Sequence, residues 1–280
     1  MYKKVWNKCQ ASVCAINFYS ARGIRINSIS GFKYGKYLIT DDMVYKINRA
    51  SEVQISFMED DGLTVKTSVK ITDKDFRQRM VKGVLENLGN FALINIDFPQ
   101  FDSIPSLVLS SKATPVATPI AVIGYSKDNM NMAIKMGYVS SYIKHNNTKF
   151  IQFDAALEFG NSGSPLIDAE TCEVVGIVGH RISTFTDTYN QMMNIINNNL
   201  ELLQQSEGKV HFNDIDPIQV LVTNQNQIKH LAQVFFKNSS IGYGFALEVS
   251  NLVEYLDLKE LVKTDSRNQS TDDKYKIILQ

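Results

Sequence analysis

The stretch from Gly160 to Leu166, which reads Gly-Asn-Ser-Gly-Ser-Pro-Leu, combines residue types and a spacing that suit acyl-transfer chemistry. A Gly-X-Ser-Gly run forces a tight backbone turn, which projects the serine hydroxyl and directs successive N–H groups at one point. Two such donors stabilise the negative charge that develops on a carbonyl oxygen under attack. The same run also occurs in ordinary surface turns, so the segments around Ser162 must decide between the two interpretations.

Other kinds of site leave weaker signals in the sequence. Cys9, Cys14 and Cys172 have no metal-ligand spacing, and their odd number argues against a disulfide framework. We therefore expect three free thiols that pack as small apolar groups in a reducing compartment. Neither a phosphate-binding glycine loop nor a dinucleotide fingerprint is present. The sequence thus predicts no metal and no cofactor.

The composition excludes several classes of partner. The chain has 280 residues, with 29 Lys+Arg and 29 Asp+Glu, so its formal net charge is zero. A phosphate backbone would find no general attraction, and we predict no nucleic-acid partner. No run approaches the ~20 apolar residues that a membrane span needs, and the basic start is followed by no apolar run. These features predict a cytoplasmic protein without membrane contact.

Short β-type runs fill the first two thirds of the chain. Residues 52–58 alternate apolar and polar side chains, and after Glu59-Asp-Asp-Gly62 the pattern resumes at 63–71, which is typical of a hairpin. Many short strands separated by turn signals predict an all-β sandwich or barrel. The other runs are 11–19, 31–40 with a turn at 34–36, 91–96, 120–124, 133–142, 150–153 and 174–178.

The hydrophobic period changes after the last of these runs. Met192, Ile196, Leu200 and Leu203 recur at three-to-four spacing, which predicts a helix over 189–205. A second helical pattern follows the cap at Asp216-Pro217. A strand is predicted at 242–249, and a capping box at 251–254 predicts a final helix to about 262.

The segments around Ser162 resemble the trypsin-like serine peptidases, above all the bacterial HtrA type. Residues 150–168 and the run Glu173-Val-Val-Gly-Ile-Val178 carry the resemblance, and it extends to 120–124, 136–141 and 241–246. That family folds as two six-stranded β-barrels with the active site in the cleft between them. The resemblance therefore implies an all-β, double six-stranded β-barrel with a helical insertion and a C-terminal helix.

The same resemblance implies the division of the chain. We expect an N-terminal barrel over 1–115 and a C-terminal barrel over 116–255, with the helical insertion at about 184–238. The end of the C-terminal helix and a mobile tail would occupy 256–280. The trimer typical of HtrA-type proteins is not implied for this chain.

Residue by residue, the resemblance assigns roles around the turn. Ser162 matches the nucleophile, and the N–H groups of Gly160 and Ser162 match the oxyanion hole. The substrate pocket would be lined by Ala156, Leu157, Phe159 and Gly179, and the first two would give it an apolar base.

Two positions depart from the family pattern. The family histidine ends a phrase of the type Thr-x-x-His-Val, whereas this chain has Thr40-Asp-Asp-Met-Val44, with Met43 in the histidine position. The family aspartate precedes an apolar run, and here Asn90 precedes Phe-Ala-Leu-Ile94. A thioether is only a weak hydrogen-bond acceptor, so Ser162 would lack a proton acceptor. An asparagine in the aspartate position agrees with the loss of the histidine, since no imidazolium is left for a carboxylate at position 90 to stabilise.

Alternative bases remain open at this point. His180 follows the strand at 174–178 and, by the resemblance, would lie near the nucleophile. Asp41 and Asp42 are adjacent, and a shifted loop would offer one of them to the hydroxyl.

Two functions compete. The first is a pseudopeptidase that acts by binding or regulation, with a peptide or protein in the inter-barrel cleft and a possible protein partner on the helical insertion. The second is an active serine endopeptidase that uses a non-standard base such as His180 or Asp42.

Overall fold

Twelve strands and four α-helices follow one another along the part of the chain that the computed structural model describes. The described residues are 1–81, 91–145, 148–179, 184–209, 216–238 and 243–249, together with 252 and 256. The strands are β1 (Val13–Tyr19), β2 (Arg25–Tyr34), β3 (Tyr37–Asp41), β4 (Glu52–Met58), β5 (Val65–Thr72), β6 (Phe91–Asn95), β7 (Pro119–Tyr125), β8 (Met132–His145), β9 (Thr148–Phe153), β10 (Pro165–Asp168), β11 (Val174–Val178) and β12 (Gly244–Glu248). The helices are α1 (Tyr2–Cys9), α2 (Asp73–Gln78), α3 (Thr184–Gln204) and α4 (Pro217–Asn238), and 3-10 turns lie at Gln10–Ser12, Asp42–Tyr45 and Pro99–Phe101.

The first six strands form one antiparallel sheet in the order β5-β4-β1-β2-β3-β6. The predicted hairpin pairs β4 with β5, and Ile55 lies opposite Val69. The segment after α2 continues the sheet beyond β6, because the Val81 N–H donates to the Leu93 carbonyl at 2.9 Å. The core of this half is rich in buried aromatic side chains: Phe18, Phe57, Phe76 and Phe101.

The last six strands close into a barrel in the order β10-β11-β12-β9-β8-β7. Strand β11 is buried along its whole length, as its run of Val and Ile predicts. The mostly β architecture predicted from the short alternating runs is therefore confirmed. Helix α1 was not predicted, although Val5 and Cys9, four residues apart, form its buried side.

The chain divides into two compact units. One comprises Met1–Gly179 and Gly244–Gln280, and the other comprises His180–Tyr243. In the second unit α3 and α4 pack together, and among its described residues Ile196, Leu200 and Ala232 are buried and apolar. The helix predicted over 189–205 is confirmed by α3. Among the described residues no helix has the length and apolar character required to cross a bilayer.

Candidate active site

The turn that contains Ser162 precedes β10 and is bonded to both sheets. The Ser162 carbonyl accepts the N–H of Ser30 in β2 at 2.8 Å, and the Gly163 N–H donates to the Val178 carbonyl in β11 at 2.7 Å. Asn161 is buried, and its amide nitrogen donates to the Tyr125 carbonyl at 3.1 Å. The backbone around the serine is therefore fixed by partners from both halves of the molecule.

Two glycines of the turn adopt backbone conformations that only glycine enters without strain. Gly160 has a φ of +103°, and a Cβ there would lie 2.5 Å from the Tyr125 carbonyl oxygen. Gly163 has a φ of +84°, and its Cβ would overlap the Ser30 carbonyl oxygen and the Thr40 hydroxyl. Both glycines are thus required by geometry at this turn.

The N–H groups of Gly160 and Ser162 lie on either side of the Gly160–Asn161 peptide, and Gly160 is buried while Ser162 is half-buried. The Phe159 carbonyl accepts the Lys127 N–H at 2.8 Å, and because the peptide bond is trans, the Gly160 N–H points the opposite way. Within the described residues neither the Gly160 nor the Ser162 N–H donates to an acceptor. The turn therefore carries two backbone donors that have no acceptor in the described part of the chain.

The Ser162 hydroxyl has a carboxylate as its partner. Its Oγ donates to Oδ2 of Asp41 at 2.5 Å. Asp41 ends β3 and is only 1% exposed, and its Oδ1 accepts the Met43 N–H at 3.1 Å. The hydroxyl is thus directed at a group inside the protein.

The environment of Asp41 raises its pKa from the ordinary 3.8 to about 7. Burial is the largest cause, and a hydrogen bond with the Asp42 carboxyl adds to it. The hydrogen bonds from Ser162 and Met43 favour the charged form and oppose the rise only in part. The carboxyl group beside the serine therefore changes charge near neutral pH.

The position predicted for a histidine is occupied by a side chain without acid–base chemistry. Met43 lies in the 3-10 turn after β3 and packs, partly buried, against the core of the first sheet. Asp42, named with Asp41 as a possible base, is 3.8 Å from Lys46 in an ion pair, and the hydroxyl contacts Asp41 instead. Asn90 and His180 lie outside the described residues, so their predicted roles stay predictions.

The residues predicted to line a substrate pocket lie in different environments. Ala156 is exposed, whereas Leu157 is 8% exposed and packs in the core of the closed barrel. Phe159 is 46% exposed next to the Gly160 N–H. Gly179 is half-buried, and its N–H donates to the Phe245 carbonyl at 3.0 Å.

Ser30 is a site residue that the sequence analysis missed. Its Oγ donates to the Gly160 carbonyl at 2.7 Å and accepts the Tyr125 N–H at 2.8 Å. Together with the Ser30 N–H, which donates to the Ser162 carbonyl, this hydroxyl holds the peptide between the two donors and the peptide that follows them. The signal available was a pair of small polar residues, Ser28 and Ser30, on either side of Ile29.

Comparison with known proteins agrees with this geometry. A family model described as a trypsin-like peptidase domain matches residues 28–177, which is more than half of the chain. None of the curated protein sequences matches the chain at a significant level.

Two solved structures show the same fold. The HtrA-type protease AlgW with a tripeptide is 16% identical with a TM-score of 0.54, and covers 92% of this chain and 62% of its own. A variant of that protease with a decapeptide is 15% identical with a TM-score of 0.55, and covers 92% and 66%. This chain thus spans less than two thirds of the length of these structures. The matching domain model, the closed barrel and the serine turn together establish that the chain belongs to the trypsin-like peptidase family.

Proposed function

We propose that this chain is a trypsin-like peptidase homologue that binds a segment of polypeptide in the cleft of the fold without hydrolysing it. The contact that carries the proposal is the hydrogen bond from the Ser162 hydroxyl to the buried Asp41 carboxyl group. This contact directs the hydroxyl into the protein, and Met43 offers no base in its place.

Asp41 is unsuited to the full work of a peptidase base. Such a base first accepts the serine proton and later gives it to the leaving amine, so it must face the substrate. Asp41 is 1% exposed, and both of its oxygens already accept hydrogen bonds. A proton taken up there has no direct route to an amine in the cleft, and amide cleavage would stop at this step.

The parts of the site that bind a carbonyl group are retained. The Gly160 and Ser162 N–H groups have no acceptor among the described residues, and Ser30 holds the peptide between them and the peptide after them. A peptide carbonyl supplies the acceptor that this pair requires. Structures of the same fold were obtained with a tripeptide and a decapeptide, so a short peptide is the first ligand class to test.

The test of hydrolysis compares the purified chain with Ser162→Ala on fluorescent casein and on a mixture of random decapeptides, with cleavage products followed by mass spectrometry. Loss of the base in a serine peptidase lowers turnover by about 10⁶-fold, so we expect the two proteins to be indistinguishable. Cleavage that Ser162→Ala abolishes would contradict the proposal. If His180→Ala abolished it as well, His180 would be the base.

The test of binding captures decapeptides from the same mixture and compares Gly160→Ala with Gly35→Ala. Both glycines have a positive φ, but a Cβ at Gly160 meets the Tyr125 carbonyl oxygen and one at Gly35 meets open space. We expect Gly160→Ala to lose peptide capture and Gly35→Ala to keep it. Equal capture by both variants would show that the N–H pair is not the binding group.

A second candidate function is supported by the same contact. Because Asp41 lies 2.5 Å from the hydroxyl and its pKa is about 7, it can accept the serine proton when the leaving group needs none. With p-nitrophenyl acetate, Oγ of Ser162 would bond to the acetyl carbon, its proton would move to Asp41, and p-nitrophenolate would leave. This candidate predicts a burst of one p-nitrophenolate per chain at pH 8, absent in Ser162→Ala and reduced in Asp41→Asn. A flat trace with intact protein would remove it.

A further inference from the structure

Helix α4 has one side that faces α3 and another that faces solvent, and the exposed side carries the more apolar stripe of residues. The side of α4 that meets α3 includes Gln225 and Lys229, and the Lys229 amine donates to the Asn197 side chain of α3 at 2.8 Å. The apolar residues Leu221, Ile228, Leu231 and Phe235 stay exposed, the last two by 55% and 63%. An amphipathic helix ordinarily buries its apolar stripe, so this stripe calls for a partner surface.

The exposed stripe has the spacing of a helix–helix seam. Positions 221, 224, 228, 231 and 235 are separated by three or four residues in strict alternation, which is the spacing of a heptad seam. Asn224 is the one polar residue of the five. A single amide in such a seam fixes register and the number of helices.

Helix α3 carries a second stripe of the same kind. Met192, Ile195, Asn199 and Leu202 follow the same spacing, and Ile195 and Leu202 are 60% and 64% exposed. An α-helix turns by about 100° per residue. The exposed stripe of each helix is displaced by one residue from the side that packs against the other helix, so it lies roughly 100° away from that side. Because the two helices run antiparallel, these rotations place both stripes on one side of the pair. We call this surface the apolar face; it consists of Met192, Ile195, Asn199, Leu202, Leu221, Asn224, Ile228, Leu231 and Phe235.

We propose that the apolar face pairs with the same face of a second copy of this chain, so that two helix pairs form a four-helix bundle. Asn199 and Asn224 both lie on the loop side of the Asn197–Lys229 contact, about 3 Å and about 7.5 Å from it along the helix axes. An amide both donates and accepts hydrogen bonds, so these two amides form a polar segment of the face that is complementary to itself across a two-fold axis. A second copy therefore supplies the partner groups that the face needs.

Size and charge agree with this partner. The apolar face takes up about 20 Å of the helix pair, whereas pairing along the full 21 and 22 residues, about 30 Å long and about 20 Å wide, would bury roughly 600 Å² on each copy and roughly 1,200 Å² in the pair. This total reaches the range of specific interfaces, which begins near 1,200 Å². The two helices contain two acidic and two basic residues, so the pair has no excess of Lys and Arg to attract an anionic membrane.

The test measures the mass of the full chain by light scattering and its dissociation constant by sedimentation. We expect a mass twice the 31.6 kDa of one chain at micromolar concentration. The decisive pair of variants is Asn224→Asp and Asn226→Asp, which make the same change two residues apart on opposite faces of α4. Charges introduced into the buried face of both copies should raise the dissociation constant about 10-fold or more in Asn224→Asp, whereas Asn226→Asp should stay near the unmodified protein.

Leu231→Asp provides a second variant, because Leu231 is exposed within one chain and its change does not disturb the core. We expect Leu231→Asp to be monomeric with an unchanged far-ultraviolet circular dichroism spectrum. A monomeric unmodified protein at 100 µM, equal effects of the two Asn variants, or an oligomer that Leu231→Asp leaves intact would each overturn the proposal. So would sedimentation of the protein with phosphatidylglycerol vesicles in place of self-association.

Discussion

Replacing Asp41 by asparagine is expected to change how the stability of the protein depends on pH. Asparagine keeps the size of the side chain and can still accept the Ser162 hydroxyl, but it stays neutral at every pH. In the folded protein the pKa of Asp41 is raised to about 7 from an ordinary 3.8, mainly by burial. Between these values the folded state holds a proton that the unfolded state has lost, so the stability contributed by this group falls as pH rises.

The magnitude follows from the interval between the two pKa values. Each pH unit inside the interval is worth about 1.4 kcal/mol, so the change from pH 4.5 to pH 7.5 amounts to about 3 kcal/mol. Other titrating groups are shared by both proteins and cancel in the comparison. The stability of Asp41→Asn relative to the unmodified chain should therefore increase by about 3 kcal/mol across this range.

Urea unfolding at pH 4.5, 6.0 and 7.5 measures this difference, which corresponds to a relative midpoint shift of about 1 M at an m-value of about 3 kcal/mol/M. Asp42→Asn is the matched control, because it removes a neighbouring carboxyl whose side chain is 23% exposed and leaves Asp41 buried. That variant should keep most of the pH dependence, since burial is the largest cause of the raised pKa. Parallel pH profiles for the unmodified protein and Asp41→Asn would refute the reasoning.

Three further changes test the packing around the site. Gly163→Ala should lower the free energy of unfolding by about 3 kcal/mol or more, because the added Cβ would overlap backbone atoms at a position with a positive φ. The control Gly35→Ala places its Cβ in open space and should lower the free energy of unfolding by only about 1 kcal/mol. Similar urea midpoints for the two variants would contradict this expectation. Ser30→Ala should lower stability by about 1–3 kcal/mol because the buried Tyr125 N–H loses its acceptor, and an unchanged midpoint would show that another acceptor replaces it. Burial raises the pKa of the Cys9 thiol to about 12. Iodoacetamide at pH 8 should therefore label Cys9 quickly only when urea unfolds the protein. Fast labelling of the native protein would show that α1 opens readily.

The sequence predicted most of the strands because most are apolar runs bounded by turn residues, but it missed β10 and the first half of β2. The alternation over 52–58 and 63–71 anticipated β4 and β5, and the Tyr34-Gly-Lys36 turn anticipated the connection between β2 and β3. These signals are local, and local patterns decide element type when side-chain period and turn chemistry agree. Helix α1 was missed although Tyr2, Val5, Trp6 and Cys9 have the i, i+3, i+4, i+7 spacing of an amphipathic helix, so its signal was present in the sequence.

The site was predicted only in part. The motif located Ser162 and the glycines on either side of it, since glycine is the residue that the positive-φ conformations of this turn require. The contact with Asp41 joins residues 121 positions apart, and no periodicity reports which of two adjacent acids turns inward. Ser30 was missed for the same reason, because its partners Gly160 and Tyr125 belong to the other half of the chain. Contacts between distant segments need the fold before they can be assigned.

The turn at Gly160–Gly163 also acts as a structural joint, and this affects how its residues should be interpreted. Ser162 and Gly163 each exchange a main-chain hydrogen bond with a different half of the fold, and Asn161 ties the loop before the turn to β7. A hinge motion between the two halves would have to break these bonds together, so the turn limits how far the halves can separate. The motif therefore has an architectural role that is distinct from any catalytic one.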